Sequence, residues 1–125
     1  SRPIHVDDAP LSESLFCLGS SPYNTELADE TFRLARLAFD ASLDLRRLAS
    51  AELDLCMVAA GRAGLYFEAR LSLWDYAAGM LILSGAGGIC SQLDGSPLPF
   101  DGRKPSIAAG SPRAYADFMA LIKEG

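Results

Sequence analysis

The chain alternates short apolar runs with segments of helical periodicity, and this alternation predicts strands and helices in turn. Apolar runs closed by Gly, Pro, Asp or Ser predict strands at 3–6, 14–19, 43–48, 65–70, 89–93 and 106–109. Apolar residues at helical spacing, together with capping residues, predict helices from Asn24 or Thr25, over 51–60, over 75–86 and from Pro112. This order is typical of an α/β domain, so we predict a mixed β-sheet flanked by helices.

The longest apolar segment follows Asp75 and ends at Gly87-Gly88. A carboxylate before such a segment can cap a helix, because its oxygens accept hydrogen bonds from the unpaired N–H groups of the first turn. The glycines can then end the helix. Because residues 76–83 are apolar on every side, we predict a helix that is buried all round, with Asp75 at its N-terminus. On pattern alone, Asp75 is a helix cap.

Two neighbouring segments give more specific predictions of burial. In the helix over 51–60, Leu53, Met57 and Ala60 share one face, and we expect that face to be buried. In the strand over 65–70, Glu68 lies on the opposite side from Leu65 and Phe67. The strand pattern therefore predicts an exposed Glu68 and assigns it no chemical role.

The composition limits the classes of function. A chain of 125 residues is long enough for one domain with its own core. Its net charge of −5 argues against a nucleic-acid or membrane-surface binder, and no apolar run approaches the roughly 20 residues that span a bilayer. Cys17, Cys56 and Cys90 are odd in number and widely spaced, which is typical of thiols in a reducing compartment. We therefore expect a cytoplasmic protein.

Three motifs occur in order between residues 46 and 88. The first is Arg46-Arg47-Leu48-Ala49-Ser50-Ala51 before a helix, and the second is Glu68, seven residues ahead of Asp75. The third is Trp74-Asp75-Tyr76-Ala77-Ala78-Gly79, closed by Ala86-Gly87-Gly88. In this order and at these intervals, the motifs resemble the C-terminal half of the inositol monophosphatase family of magnesium-dependent phosphatases. The resemblance implies the C-terminal half of that family's layered α/β sandwich.

The resemblance also implies roles for individual residues. Asp75 matches an aspartate that binds magnesium next to the reacting phosphate, so it is the candidate catalytic and metal-binding residue. Glu68 matches a glutamate that hydrogen-bonds inositol or sugar hydroxyls. The turn formed by Ala49, Ser50 and Ala51 matches a turn that contacts the polyol, partly through backbone groups. Oxygen ligands suit magnesium, which is a hard cation.

Supporting residues and departures follow from the same resemblance. Trp74 is expected to pack so that it fixes Asp75, and Arg46 is expected to support the polyol-binding turn. Ala49 stands where the family usually has Gly, so the backbone there is less free to approach a substrate. Glu52 stands where the family usually has Ala and adds a charge near the polyol. These departures bear on the identity of the substrate more than on the fold.

Most metal ligands of the family lie in an N-terminal half that does not correspond to this sequence. No Asp-Pro-x-Asp-Gly segment occurs in the chain. One aspartate cannot hold the two or three magnesium ions that neutralise charge on a transferring phosphoryl group. We therefore expect residues 1–125 to be a C-terminal domain that is inactive without the N-terminal half of the same protein.

The first functional hypothesis is a phosphomonoesterase that hydrolyses inositol monophosphate or a related sugar phosphate, acting as a cytoplasmic homodimer. An alternative within the class is a 3'-phosphoadenosine 5'-phosphate phosphatase, although the 46–51 turn and Glu68 resemble the polyol-binding version. An alternative from another class is a non-catalytic binding or dimerisation domain that keeps the fold. The departures at Ala49 and Glu52 are consistent with that alternative.

Overall fold

The computed structural model describes residues 3–22 and 24–124. They form five strands, which are β1 (Leu15–Gly19), β2 (Asp44–Arg46), β3 (Leu65–Glu68), β4 (Ile89–Ser91) and β5 (Ile107–Gly110). They also form four α-helices, which are α1 (Ala28–Ala41), α2 (Ala51–Ala59), α3 (Leu73–Gly85) and α4 (Pro112–Glu124). Short 3-10 helices at Leu11–Glu13 and Thr25–Leu27 precede β1 and α1. None of the described helices is long and apolar enough to cross a membrane.

The strands lie in one mixed sheet with the order β2-β1-β3-β5-β4. β1 runs parallel to both β2 and β3, whereas β5 runs antiparallel to both β3 and β4. The predicted α/β fold with a mixed sheet is therefore confirmed. Because β1 and β3 are parallel, their carboxyl ends meet at one edge of the sheet, where Gly19 pairs with Glu68.

Helices cover both faces of the sheet. On one face, α1 and α4 pack on a cluster in which Phe67 stacks on Phe118 with 4.9 Å between ring centroids. On the other face, α2 and α3 pack on a second cluster that includes Cys17 and Tyr66. Both faces of β1 and β3 are thus buried, which explains why these strands are apolar without strict alternation.

The helices α2 and α3 approach each other closely at Gly79. A Cβ atom added at this position would lie 2.8 Å from Leu55 Cδ1 and 2.9 Å from Leu55 Cβ, closer than real Cβ contacts. Gly79 and Leu55 are both buried. The missing side chain therefore lets the two helices pack together, and this packing fixes their starting turns relative to each other.

The predicted strand over 3–6 does not form. Residues 3–10 have neither helix nor strand, although Val6 is buried. The Val6 N–H donates to the carbonyl oxygen of Ala86 at 3.0 Å, just beyond the end of α3. The prediction is wrong because the apolar residue of this segment packs against the end of a helix instead of pairing in the sheet.

The burial of α2 and α3 also differs from the prediction. In α2, Leu53 is 55% exposed, and the buried residues are Asp54, Leu55, Val58 and Ala59. The helix α3 begins at Leu73, and it is not buried all round, because Leu81 is 70% exposed while Tyr76 and Leu83 are fully buried. Both helices are apolar on nearly every side, so their sequence pattern does not define which side meets the sheet.

Candidate active site

A cleft of about 710 Å³ opens at the carboxyl ends of β1 and β3. Its walls are the loop after β1, the first turn of α2, the end of β3 and the first turn of α3. All five residues that the sequence singled out line this cleft, namely Ala49, Ser50, Ala51, Glu68 and Asp75. The volume lies within the range of small-molecule sites, roughly 300–1,000 Å³.

Glu68 is held in the cleft by two hydroxyl groups. The Tyr66 hydroxyl donates to Oε1 at 2.7 Å, and the Ser21 hydroxyl donates to Oε2 at 3.1 Å. The side chain is half-buried, so the exposed carboxylate that the strand pattern predicts is wrong. Burial raises the pKa of Glu68 above its usual range, while the hydrogen bonds from Tyr66 and Ser21 oppose the rise. The result is a carboxyl group with a fixed orientation.

The loop after β1 is shaped around this carboxyl group. A Cβ atom on Gly19 would overlap Glu68 Oε1, so any side chain there would displace this carboxyl group. Ser21 is buried and has a φ of 49°, a left-handed conformation that costs a non-glycine residue about 1–2 kcal/mol. Backbone strain of this kind persists where the surrounding structure fixes it, and here the strained residue is one that binds Glu68.

Asp75 is the third residue of α3 and is exposed at the cleft. The N-cap residue Ser72 donates both its N–H, at 3.3 Å, and its hydroxyl, at 2.8 Å, to Asp75 Oδ2. Asp75 therefore stabilises the start of the helix by reaching back to the N-cap, and it is not the N-cap itself. Trp74 is 88% exposed, so the expectation that its packing fixes Asp75 is wrong within the described residues. Ser72 orients Asp75 instead.

The turn before α2 brings backbone groups to the opposite wall of the cleft. Ser50 is the N-cap of α2, and its hydroxyl accepts a hydrogen bond from the Leu53 N–H at 3.3 Å. Ala49 has a φ of 61°, which is the left-handed conformation that favours glycine. The first N–H groups of a helix have no hydrogen-bond partners within that helix. The N–H groups of Ala51 and Glu52, at the start of α2, are therefore without partners inside α2.

The arginine that reaches across the cleft is Arg47. Its Nη2 donates to the Ser20 hydroxyl at 3.0 Å, which ties the end of β2 to the loop after β1. Arg46 is exposed and lies outside the residues that line the cleft. The support that Arg46 was expected to give the polyol-binding turn is therefore not observed, and the Arg47 hydrogen bond goes to the loop after β1 instead of that turn.

Asp54 lines the same cleft from beneath and is only 1% exposed. Its Oδ1 has no hydrogen-bond partner within residues 3–22 and 24–124. The pKa of Asp54 is raised to about 6, mainly by burial and also by the charge of Glu68, while the Cys17 thiol and Arg47 oppose the rise. The cleft therefore has a buried, incompletely satisfied carboxyl group below Glu68.

The sequence of residues 1–124 matches the inositol monophosphatase family. The chain belongs to this family. The match extends over nearly the whole sequence, and it confirms the family that the three motifs predict. Membership also agrees with the fold, because the mixed sheet and its helices are shared with solved inositol monophosphatases.

Individual relatives in the inositol monophosphatase family carry different names. The chain is 34% identical over 120 residues to the "Nus factor SuhB" of Xylella fastidiosa, a match that covers 92% of this chain and 44% of that protein. It is 48% identical over 80 residues to the "Inositol-1-monophosphatase" of Mesorhizobium japonicum, covering 64% of this chain and 29% of that protein.

A solved inositol monophosphatase from Anabaena is similar in fold. It superposes with a TM-score of 0.85 at 30% identity, covering 98% of this chain and 48% of that structure. This chain therefore spans less than half the length of each of these three proteins.

Three residues that act on the cleft of this family member were not predicted from the sequence, namely Ser21, Asp54 and, behind the lining, Tyr66. Ser21 and Tyr66 bind Glu68, but Ser21 lies 47 positions away in the chain, and the strand pattern places Tyr66 on the same side as Glu68, opposite Leu65 and Phe67. Asp54 interrupts the apolar face of α2, and this interruption was the one local signal that could have been used. A charged residue beside buried Leu55 requires either a partner or a role.

Proposed function

We propose that this chain forms part of a magnesium-dependent phosphomonoesterase that acts on inositol monophosphate or a related sugar phosphate. The observation that supports this most directly is the single cleft lined by Asp75, Glu68 and the turn before α2. These groups differ in chemistry, because one carboxylate is exposed and the other is held by two hydroxyls. Such a difference supports separate roles for the two acids in metal binding and substrate binding.

Asp75 is the residue that would bind magnesium. Magnesium prefers carboxylate oxygens, and Asp75 is an exposed carboxylate at the mouth of the cleft. Among residues 3–22 and 24–124, however, no group of three or more His, Cys, Asp or Glu could hold a metal ion. Asp75 would therefore be one ligand of a metal site whose other ligands come from outside the described residues. When bound, magnesium neutralises charge on the phosphoryl group and activates water.

Glu68 and the start of α2 would bind the polyol part of the substrate. Because Tyr66 and Ser21 fix the Glu68 carboxylate, its remaining lone pairs can accept hydrogen bonds from substrate hydroxyls without reorientation. The turn at Ala49, Ser50 and Ala51 offers backbone groups on the facing wall. A polyol carries hydroxyls in several directions, so acceptors and donors on opposite walls suit it.

The test is phosphate release by the full-length protein with and without magnesium. We expect hydrolysis of inositol 1-phosphate that requires magnesium and exceeds hydrolysis of 3'-phosphoadenosine 5'-phosphate. The 125-residue chain, assayed beside it, should release no phosphate, because Asp75 alone is too few ligands for a tight magnesium site. Faster turnover of the nucleotide would support the alternative substrate. No hydrolysis of either compound by the full-length protein would contradict the proposal.

A second candidate function is a binding role without catalysis, and the similarity to proteins named "Nus factor SuhB" favours it. Such a role would not need the Asp75 carboxylate, so an Asp75→Asn protein would keep it. The expected homodimer and cytoplasmic location stay predictions under either function.

A further inference from the structure

Asp54 is a buried carboxyl group, and no hydrogen bond or ion pair among the described residues explains why an acid occupies this position. It is 1% exposed, and its Oδ1 has no partner among the described residues. An unpaired buried polar atom destabilises a fold, so buried polar groups in native proteins are nearly always hydrogen-bonded. A leucine would fill the same place between α2 and the sheet without this penalty. The carboxyl group therefore calls for a partner that comes from outside the described chain.

The position of Asp54 indicates where that partner binds. Asp54 lines the cleft together with Glu68, whose charge acts on it directly. Both oxygens of Glu68 already accept hydrogen bonds from Tyr66 and Ser21, and Asp75 Oδ2 accepts two from Ser72. Asp54 Oδ1 differs from these oxygens because it accepts none from residues 3–22 and 24–124.

A metal ion is not the partner that the surroundings suit. Asp54 is 1% exposed, whereas Asp75, the carboxylate proposed to share a metal site with ligands from elsewhere, is exposed. The buried Cys17 thiol lies close enough to act on the pKa of Asp54, and it brings no charge to the floor of the cleft. Glu52 Oε1, which lines the same cleft, also lacks a partner among the described residues, but Glu52 is only half-buried. The fully buried Asp54 carboxyl group in a partly apolar floor matches a neutral donor, such as a hydroxyl group.

We infer that Asp54 is a specificity-determining residue that accepts a hydrogen bond from a substrate hydroxyl at the floor of the cleft, below Glu68. This inference rests on the proposed phosphatase function and deepens it, since it selects substrates with a hydroxyl away from the phosphate. Because Asp54 lines the cleft, the carboxyl oxygen on the cleft side can accept this hydrogen bond, while Oδ1 itself is sealed from the cleft. A site with a buried polar group discriminates strongly against ligands that leave it unpaired.

The experiment compares two substrates in the full-length protein. Inositol 1-phosphate has hydroxyls around its ring, whereas p-nitrophenyl phosphate has none. Asp54→Leu should lower kcat/KM for inositol 1-phosphate roughly tenfold more than for p-nitrophenyl phosphate, the size expected for one hydrogen bond to a charged group. Asp54→Asn keeps an acceptor oxygen and should change this ratio by less than about threefold. Should the Leu variant fail to fold, Asp54→Ala replaces it.

The matched control is Thr31→Val. Thr31 is also 1% exposed with an unpartnered side-chain oxygen, but it lies on α1, away from the cleft. Its replacement should leave the substrate ratio unchanged. An equal loss for both substrates, or no loss for either, in the Leu or Ala variant would overturn the role of Asp54 while leaving the phosphatase function intact. If the wild-type protein hydrolyses neither substrate, the proposed function itself fails.

Discussion

At the scale of single residues, two residues of the cleft have backbone conformations that are unfavourable for their residue types. Ser21 and Ala49 both have left-handed backbone conformations without being glycine, and both line the cleft. A side chain at Gly19 would displace the Glu68 carboxyl group, because Oε1 fills the space. Strain that is concentrated around one cleft supports a functional reason for it.

Replacing Ala49 with Gly should stabilise the protein. Glycine removes the left-handed strain of about 1–2 kcal/mol but also makes the unfolded chain more flexible, so the net gain in the free energy of unfolding should be about 0.5–1 kcal/mol. Chemical denaturation measures it. Ala78→Gly, in the exposed middle of α3, is the control and should lower stability instead. A loss of stability in Ala49→Gly would show that the turn does not carry this strain.

Glu68→Gln should mainly weaken substrate binding in the full-length protein. The amide keeps the size of the side chain and can still contact Tyr66 and Ser21, but it loses the charge that strengthens hydrogen bonds to substrate hydroxyls. We expect KM for inositol 1-phosphate to rise by about 1–3 kcal/mol in equivalent free energy, with a smaller change in kcat. Steady-state kinetics measure both. Glu30→Gln, at an exposed ion pair on α1, should change neither value, whereas a fall confined to kcat for Glu68→Gln would contradict a binding role.

At the scale of elements, the close contact between α2 and α3 holds the two walls of the cleft together. Both helices start at the cleft, so their packing controls the separation between the turn before α2 and Asp75. Gly79 is the point of closest approach. A side chain there would change the packing of the helices and, through it, the geometry of the cleft.

Two glycines of α3 provide a matched test of this contact. Gly79→Ala should destabilise the protein by about 1 kcal/mol, because overpacking against Leu55 outweighs the better helix propensity of alanine. Gly85→Ala has open space around the new Cβ atom and should stabilise the protein by up to about 1 kcal/mol. Thermal unfolding compares the two variants. Equal stabilisation by both would show that the helices can separate without penalty.

The order of the elements could be predicted from the sequence, whereas their contacts could not. Short apolar runs closed by Gly, Pro or Asp marked β1 and β3, and Ser111-Pro112 marked the start of α4. The buried sides of α2 and α3 were missed because both helices are apolar nearly all round. The partner of Glu68 was missed because the Ser21 contact joins segments far apart in the chain.

At the scale of the whole molecule, the cleft at the carboxyl ends of β1 and β3 has an incomplete set of metal-binding groups among the described residues. The chain spans less than half the length of its relatives in the inositol monophosphatase family. Three of the acids that line the cleft differ in their surroundings: Glu68 is a fixed acceptor, Asp75 is an exposed carboxylate and Asp54 is a buried carboxyl group. This difference is consistent with the proposed phosphatase function, in which Asp75 would bind the metal.

The most direct test of this account is the kinetics of Asp75→Asn in the full-length protein over a magnesium titration. Asparagine keeps the size of the side chain and can accept the hydrogen bonds from Ser72, so the fold and the start of α3 should be preserved. Asp40→Asn, at an exposed ion pair, is the control and should behave as wild type. We predict that kcat of Asp75→Asn for inositol 1-phosphate falls roughly a hundredfold or more, with only partial recovery at high magnesium. A kcat close to that of the wild-type protein would mean that Asp75 only stabilises the helix, and it would contradict the account.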